Sequence, residues 1–181
     1  MKLIVTEFMA LDGVVEAPNE WSFPYWTDQT GKFKFDELSA ADVQLLGRVT
    51  YEGFASAWPT MKDTGDFGVK MNGMPKYVVS TMLKKAEWNN STIIKTNVAE
   101  EVTKLKKQSG GDILVAGSMT LIRTLMEHDL VDEYRLLTYP IVLGKGKRLF
   151  TDGVATSLKL TESRPMGATG VVLLRYEPER K

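Results

Sequence analysis

Two short stretches combine residue types that could hold a charged ligand, "QLLGRVTY" (44–51) and "LVAGSMTL" (114–121). Each reads as the apolar end of a strand, one glycine, and then a helix that starts with a hydroxyl residue. A helix N-terminus exposes unpaired N–H groups and a partial positive charge, so it attracts phosphate. Gly47 and Gly117 would let such a group approach the backbone closely, and Arg48 adds a full positive charge beside the first junction. Two such junctions in one small fold suit a ligand with two phosphate-bearing ends, of which a dinucleotide is the economical choice. Neither stretch matches the G-x-G-x-x-G fingerprint or the P-loop. Taken singly, each glycine reads equally as an ordinary turn residue.

Other chemistries have little to work with. The chain of 181 residues has no cysteine and one histidine, so Cys/His zinc sites, thiol catalysis and a Ser-His-Asp triad are excluded or reduced to His128. That residue sits in "MEHDL", at the end of an amphipathic run, where a capping or solvated histidine is expected. Lys plus Arg number 23 and Asp plus Glu number 23, and this balance argues against a generic nucleic-acid binder. The N-terminal "MKLIVTEFMALDG" is interrupted by Thr6 and Glu7, which suits a core strand better than a signal peptide. No apolar run approaches the roughly 20 residues that cross a membrane, so a cytoplasmic location is expected. The sequon at Asn90 in "NNST" is discounted with it.

The elements that must position these residues follow from hydrophobic period and turn chemistry. Strands are expected at 3–10, 42–47, 75–80, 91–95 and 112–116, and a loop rich in aromatics over 17–33. Helices are expected over 32–41, 48–58, 97–108 and 118–130. Asn97 is a candidate N-cap, followed by acidic residues and then lysines, an order that suits the helix dipole. "DEYRLLTYPIVL", "SLKLTES" and "GVVLLRYEP" are strands with no strong helix between them. Alternating strand and helix followed by a run of strands predicts an α/β fold: one domain over 1–181, with a mostly parallel central sheet, helices on both faces and an antiparallel C-terminal hairpin.

The order and content of "MALDGVV", "LLGRVTYEGF", "YVVST", "ILVAGSMTLIRTL" and "LVDEYRLLTYPIVLGKGKRLF" resemble the dihydrofolate-reductase-like superfamily. Within it they are most similar to the reductase domain of the bifunctional riboflavin-biosynthesis deaminase-reductase. The resemblance spans nearly the whole chain and implies a three-layer α/β/α fold, NADPH as cofactor, and a homodimer. It implies cofactor contacts at Gly47, Arg48 and Thr50, with Arg48 on the ribose phosphate; at Ser80 and Thr81 on the adenosine side; and at Ala116, Gly117, Ser118 and Met119 over the pyrophosphate and nicotinamide. Lys95 is a possible rim contact or a solvated lysine.

On the substrate side the resemblance points to Asp12 as the carboxylate nearest the site, with an Asp-Gly turn as its alternative. It points to Asp28 or Asp36 as the acid of the early helix, and to Thr138 as a threonine supporting that acid. Trp21, Phe23, Tyr25 and Trp26 line a flat-ring pocket or pack a long loop. Lys145, Lys147 and Arg148 bind a substrate phosphate or form a solvated turn. Two departures stand out: Thr120 lies where folate reductases have an arginine, and Ala116 where riboflavin reductases often have a glutamate. The resemblance therefore implies an NADPH-dependent reductase of a small heterocycle, first of 5-amino-6-(5-phosphoribosylamino)uracil and alternatively of dihydrofolate. A non-catalytic NADP(H)-binding or dimer-scaffold protein is the reading from another class.

Overall fold

The computed structural model describes residues 1–151, 153 and 155–180. Eight strands form one sheet in the order β4-β3-β2-β5-β1-β6-β8-β7. β1 (Leu3–Ala10), β2 (Ala41–Gly47), β3 (Lys76–Val79), β4 (Ser91–Ile94), β5 (Asp112–Ala116) and β6 (Glu133–Tyr139) run parallel. β8 (Val172–Pro178) is antiparallel to β6 and to the edge strand β7 (Leu158–Pro165). The expected α/β architecture with its antiparallel hairpin is thus what the chain adopts.

Apolar runs explain the centre. Leu3, Val5, Ile113, Val115 and Leu136 turn to one face and meet Val102 and Leu105 of α4 (Val98–Lys106) and Leu121, Ile122 and Leu125 of α5 (Met119–Glu127). Ile4, Leu46, Val78 and Leu114 turn to the other face, against Leu38 of α1 (Asp28–Ala40), Tyr51 of α2 (Arg48–Ala57) and Met71 of α3 (Gly65–Gly73). Each such aliphatic side chain contributes about 1.5–3 kcal/mol by leaving water. Strands covered on both faces need no polar side, which is why β5 reads as a nearly unbroken apolar run.

Two elements differ from expectation. α1 begins at Asp28, inside the segment expected as loop, because the Thr27 hydroxyl accepts the Thr30 N–H at 3.2 Å and caps the helix. α3 was not expected at all. Its nine residues include Gly65, Gly68 and Gly73 and lack a clear apolar period, so packing of Met71 and Phe67 holds it rather than propensity. β6 stops at Tyr139 because Pro140 follows. His128 ends α5, its ring Nδ1 2.9 Å from the Thr124 carbonyl oxygen, as the capping reading expects. Asn97 occupies the N-cap of α4 in a left-handed conformation, but its side chain makes no capping bond. Among the described residues no helix is long and apolar enough to cross a membrane.

Candidate active site

In a parallel sheet the loops at the carboxyl ends of the strands gather ligand-binding groups. β2 and β5 are neighbours, so their two glycine junctions meet there. The Ser118 hydroxyl oxygen accepts the Gly47 N–H at 2.8 Å and the hydroxyl donates to Thr50 Oγ1 at 3.0 Å, a clasp between the starts of α2 and α5. Ser118 adopts φ 67°, and Gly117 φ 60°. A Cβ on Gly117 would lie 2.8 Å from Thr50 Oγ1, so no side chain fits at that position. Neither helix has a side-chain N-cap, which leaves first-turn N–H groups facing the crevice. The set Gly47, Thr50, Gly117 and Ser118, with Ala116 and Met119 half-buried on either side, is therefore brought together.

The remaining cofactor candidates are more loosely placed. Arg48 is half-exposed and its guanidinium donates to Glu52 at 2.7 Å, one helical turn along α2. Ser80 is buried and its hydroxyl oxygen accepts the N–H groups of Met82 and Leu83, so it shapes its own turn. Thr81 and Lys95 are exposed.

Beside the clasp, β1 places two buried polar residues in succession. Thr6 pairs with Ala116 and turns toward α1. Its hydroxyl donates to Glu37 at 2.9 Å and accepts from Lys34 at 2.9 Å; Lys34 also contacts Glu37, and Arg135 reaches Glu37 at 3.5 Å. Glu7 points to the opposite face, alongside Val5 and Met9, one residue beyond the level of Ala116. Its side chain is fully enclosed, and Oε1 has no hydrogen-bond partner among the described residues. Burial pushes its pKa up to about 8; the Gly117 N–H and Lys34 hold it down in part, and Glu37 raises it further. Burial therefore favours the protonated form of Glu7. Thr138 pairs with Met9 and so lies on the same face of the sheet, and its Oγ1 is also buried without a partner.

The sequence resemblance missed Glu7. The signal was present in "LIVTEFMA", where a glutamate occupies the buried phase of the strand between Val5 and Met9. Glu7 does not stand in for the glutamate missing at Ala116, because Ala116 pairs with Thr6 and shares its face, whereas Glu7 lies one residue beyond and points to the other.

The other substrate-side residues are arranged differently. Asp12 accepts the Gly144 N–H at 2.8 Å, and its backbone oxygen accepts from Arg148 at 3.0 Å, so it ties the first turn to the loop after β6. The Gly144 N–H is the main reason its carboxyl lies below the usual range. Asp28 is exposed in the first turn of α1, and Asp36 is exposed and paired with Lys32 at 2.6 Å. The acid that α1 turns to the sheet is Glu37. Trp21 and Tyr25 pack edge-on against Tyr139, Trp26 packs against the edge of Phe8, and Phe23 is 66 % exposed. Arg148 and Lys147 are engaged with Asp12 and Glu16, whereas Lys145 is exposed.

An open groove of about 670 Å³ lies away from this crevice, between α2 and the β3–β4 connection. Its polar groups satisfy one another: Tyr51 accepts the Trp88 N–H, the Trp88 indole donates to Asn72, and Lys85 pairs with Glu87. Buried Lys76 behind it donates to three carbonyl oxygens, of Asn72, Met74 and Asn89. Among the described residues, unpaired buried oxygens occur in or just after β1 and β6, at Glu7, Asp12, Thr138 and Tyr139, and also at Gln44 of β2 and Ser91 of β4.

Known proteins show the same organisation. YyaP of Bacillus subtilis (strain 168), an uncharacterized protein, is 33% identical over 182 residues, covering 97% of this chain and 94% of its own. A riboflavin-biosynthesis candidate from Shewanella sp. PV-4 superposes with a TM-score of 0.79 at 19% identity, over 99% of this chain and all of the other. Dihydrofolate reductase of Enterococcus faecalis, solved with NADP(H), superposes at 0.61 and 15% identity, over 99% and 97% of the two chains. At these identities the two structures speak for the fold. The profile of the RibD C-terminal domain matches residues 1–172. With the Ser118 clasp, the parallel sheet and the C-terminal hairpin in place, the chain belongs to the RibD C-terminal domain family.

Proposed function

We propose that the chain is an NADPH-dependent reductase of a small heterocycle, with 5-amino-6-(5-phosphoribosylamino)uracil as the first substrate to try. The observation that carries this reading is the clasp of Ser118 on Gly47 and Thr50, which sets two uncapped helix N-termini side by side at the carboxyl edge of a parallel sheet. In this reading the first turns of α2 and α5 hold the phosphates, and Arg48 turns from Glu52 to the ribose phosphate. Ser80, Thr81 and Lys95 border the adenosine side, and Ala116 and Met119 flank the nicotinamide. The bound dinucleotide supplies a hydride to the substrate. The chain's own part is to orient the ring at the ends of β1 and β6, exclude water there, and present polar groups to it; Asp12 serves by fixing the loop that closes that end.

The family supports a reductase, and the relatives' names support the riboflavin pathway. The reading also takes the chain as one catalytic domain working in the cytoplasm as a homodimer, with the open edge of β7 as the surface to test. NADPH consumption with the uracil compound and with dihydrofolate, at varied pH, is the deciding experiment. Turnover of the uracil compound and not of dihydrofolate is expected. No oxidation of NADPH with either, despite binding, would leave the non-catalytic reading in its place.

A further inference from the structure

The polar groups of the crevice separate into those that are satisfied and those that are not. Asp12 and Glu37 have partners for at least one carboxylate oxygen on neighbouring elements. Glu7 differs in being enclosed and in turning away from the α1 ion pairs; its Oε1 has no partner among the described residues, a property it shares with Asp12 Oδ1. A buried polar atom without a partner costs about 1–3 kcal/mol, so each one calls for a reason, and a ligand that completes it is one such reason. A second orphan, Thr138 Oγ1, lies on the same sheet face, its residue paired with Met9 two positions beyond Glu7. The half-buried side chains at this end are Met9 and Met119, unbranched groups that yield to a flat ring at small cost.

We propose that Glu7 is the proton donor to the substrate, and that its Oε1 and Thr138 Oγ1 together take the edge of a neutral, flat heterocycle bearing an imine-type nitrogen. The inference rests on the reductase reading above. The Gly117 N–H favours the carboxylate form and Oε1 has no partner among the described residues, so we place the acid proton on Oε1, directed at the ligand. As hydride from the dihydronicotinamide adds to the carbon of the C=N bond, the π electron pair moves to nitrogen. The Glu7 O–H bond breaks and an N–H bond forms. The dihydronicotinamide is oxidised, the imine is reduced to an amine, and the Glu7 carboxylate left behind recovers its proton from water. The charges and dipoles that act on it are the Gly117 N–H from the β5–α5 turn and, across the sheet from the α1 side, Lys34 and Glu37, the latter tied to Arg135 of β6. The first two stabilise the transient carboxylate and Glu37 opposes it.

The test combines three measurements on the full chain. The carboxyl carbon of Glu7 is titrated by NMR without any ligand. Binding of 5-amino-6-(5-phosphoribosylamino)uracil is followed by calorimetry from pH 6 to 10, and NADPH oxidation is followed over the same range, for the wild type and Glu7→Gln. Expected are a titration near pH 8, wild-type affinity that falls about tenfold above it, and Glu7→Gln binding that is flat with pH. Turnover of Glu7→Gln should fall by about 10²–10⁴ in kcat with KM little changed. The wild-type arms decide the matter even if the variant folds poorly. A carboxyl that titrates in the ordinary range overturns the assignment, as does pH-independent wild-type binding, or no binding at any pH. Turnover that Glu7→Gln retains overturns it while leaving the reductase reading intact. Binding with the expected pH break but no NADPH oxidation does the reverse.

Discussion

Thr6 and Glu7 are consecutive, and they are 5 % and 4 % exposed, yet they face two different kinds of surroundings. On the α1 side, Thr6 meets Glu37, Lys34 and Arg135, and every one of these groups has a partner. On the α4/α5 side, Glu7 and Thr138 each keep an oxygen that no described residue satisfies. Equal burial therefore carries opposite meanings. The Thr6, Glu37, Lys34 and Arg135 cluster is scaffold that fixes how α1 sits on the sheet, and the Glu7 and Thr138 pair is the proposed place for a ligand; Tyr139 Oη and Gln44 Oε1 on the first side are unpartnered too.

The largest effect should come from breaking the satisfied face. Glu37→Ala leaves Lys34 and Arg135 without their shared carboxylate, and removal of one partner from a buried pair costs about 3–5 kcal/mol. Urea denaturation should show that loss, and a change under 1 kcal/mol would remove the claim that this face is structural. Next comes the unsatisfied face. A carboxyl whose folded pKa is about 8 against an unfolded 4.5 contributes its full stability below pH 4.5 and loses it as pH rises to 8. Glu7→Gln should therefore match the wild type near pH 4 and be the more stable of the two at pH 9. Equal stability at both pH values would mean that Glu7 is not a raised acid.

Smaller effects separate clasp from charge. Ser118→Ala leaves the Gly47 N–H without its acceptor and should cost about 1–2 kcal/mol, with weaker NADPH binding in calorimetry. Arg48→Ala removes only a surface pair with Glu52 and should change stability by less than about 0.5 kcal/mol. It should still weaken NADPH more than NADH, and equal weakening of both would argue that Arg48 does not reach the ribose phosphate.

Much of the fold was legible because its information is local. The unbroken apolar run of β5, the strand–glycine–helix junctions and the final strands all carry their pattern in adjacent residues. The start of α1 was hidden by aromatic residues and by Thr27, whose capping role depends on a helix not evident from period. α3 was hidden because its glycines weaken every helical signal and its packing on α1 and the neighbouring core holds it. At the site, Gly47, Thr50, Gly117 and Ser118 could be read as junction residues, but the clasp that joins them links positions about 70 apart and needs the β2–β5 pairing. In the sequence Glu7 reads only as a break in an apolar run. Its meaning comes from having no partner, and a partner's absence is a property of three dimensions.

The most direct test of the account is an NMR titration of the protein with NADPH, following backbone amides. The account predicts saturable shifts concentrated at Gly47, Arg48, Thr50, Gly117 and Ser118, with little change at Tyr51-facing Trp88 and the groove beside it. Shifts confined to that groove, or none at millimolar NADPH, would contradict it.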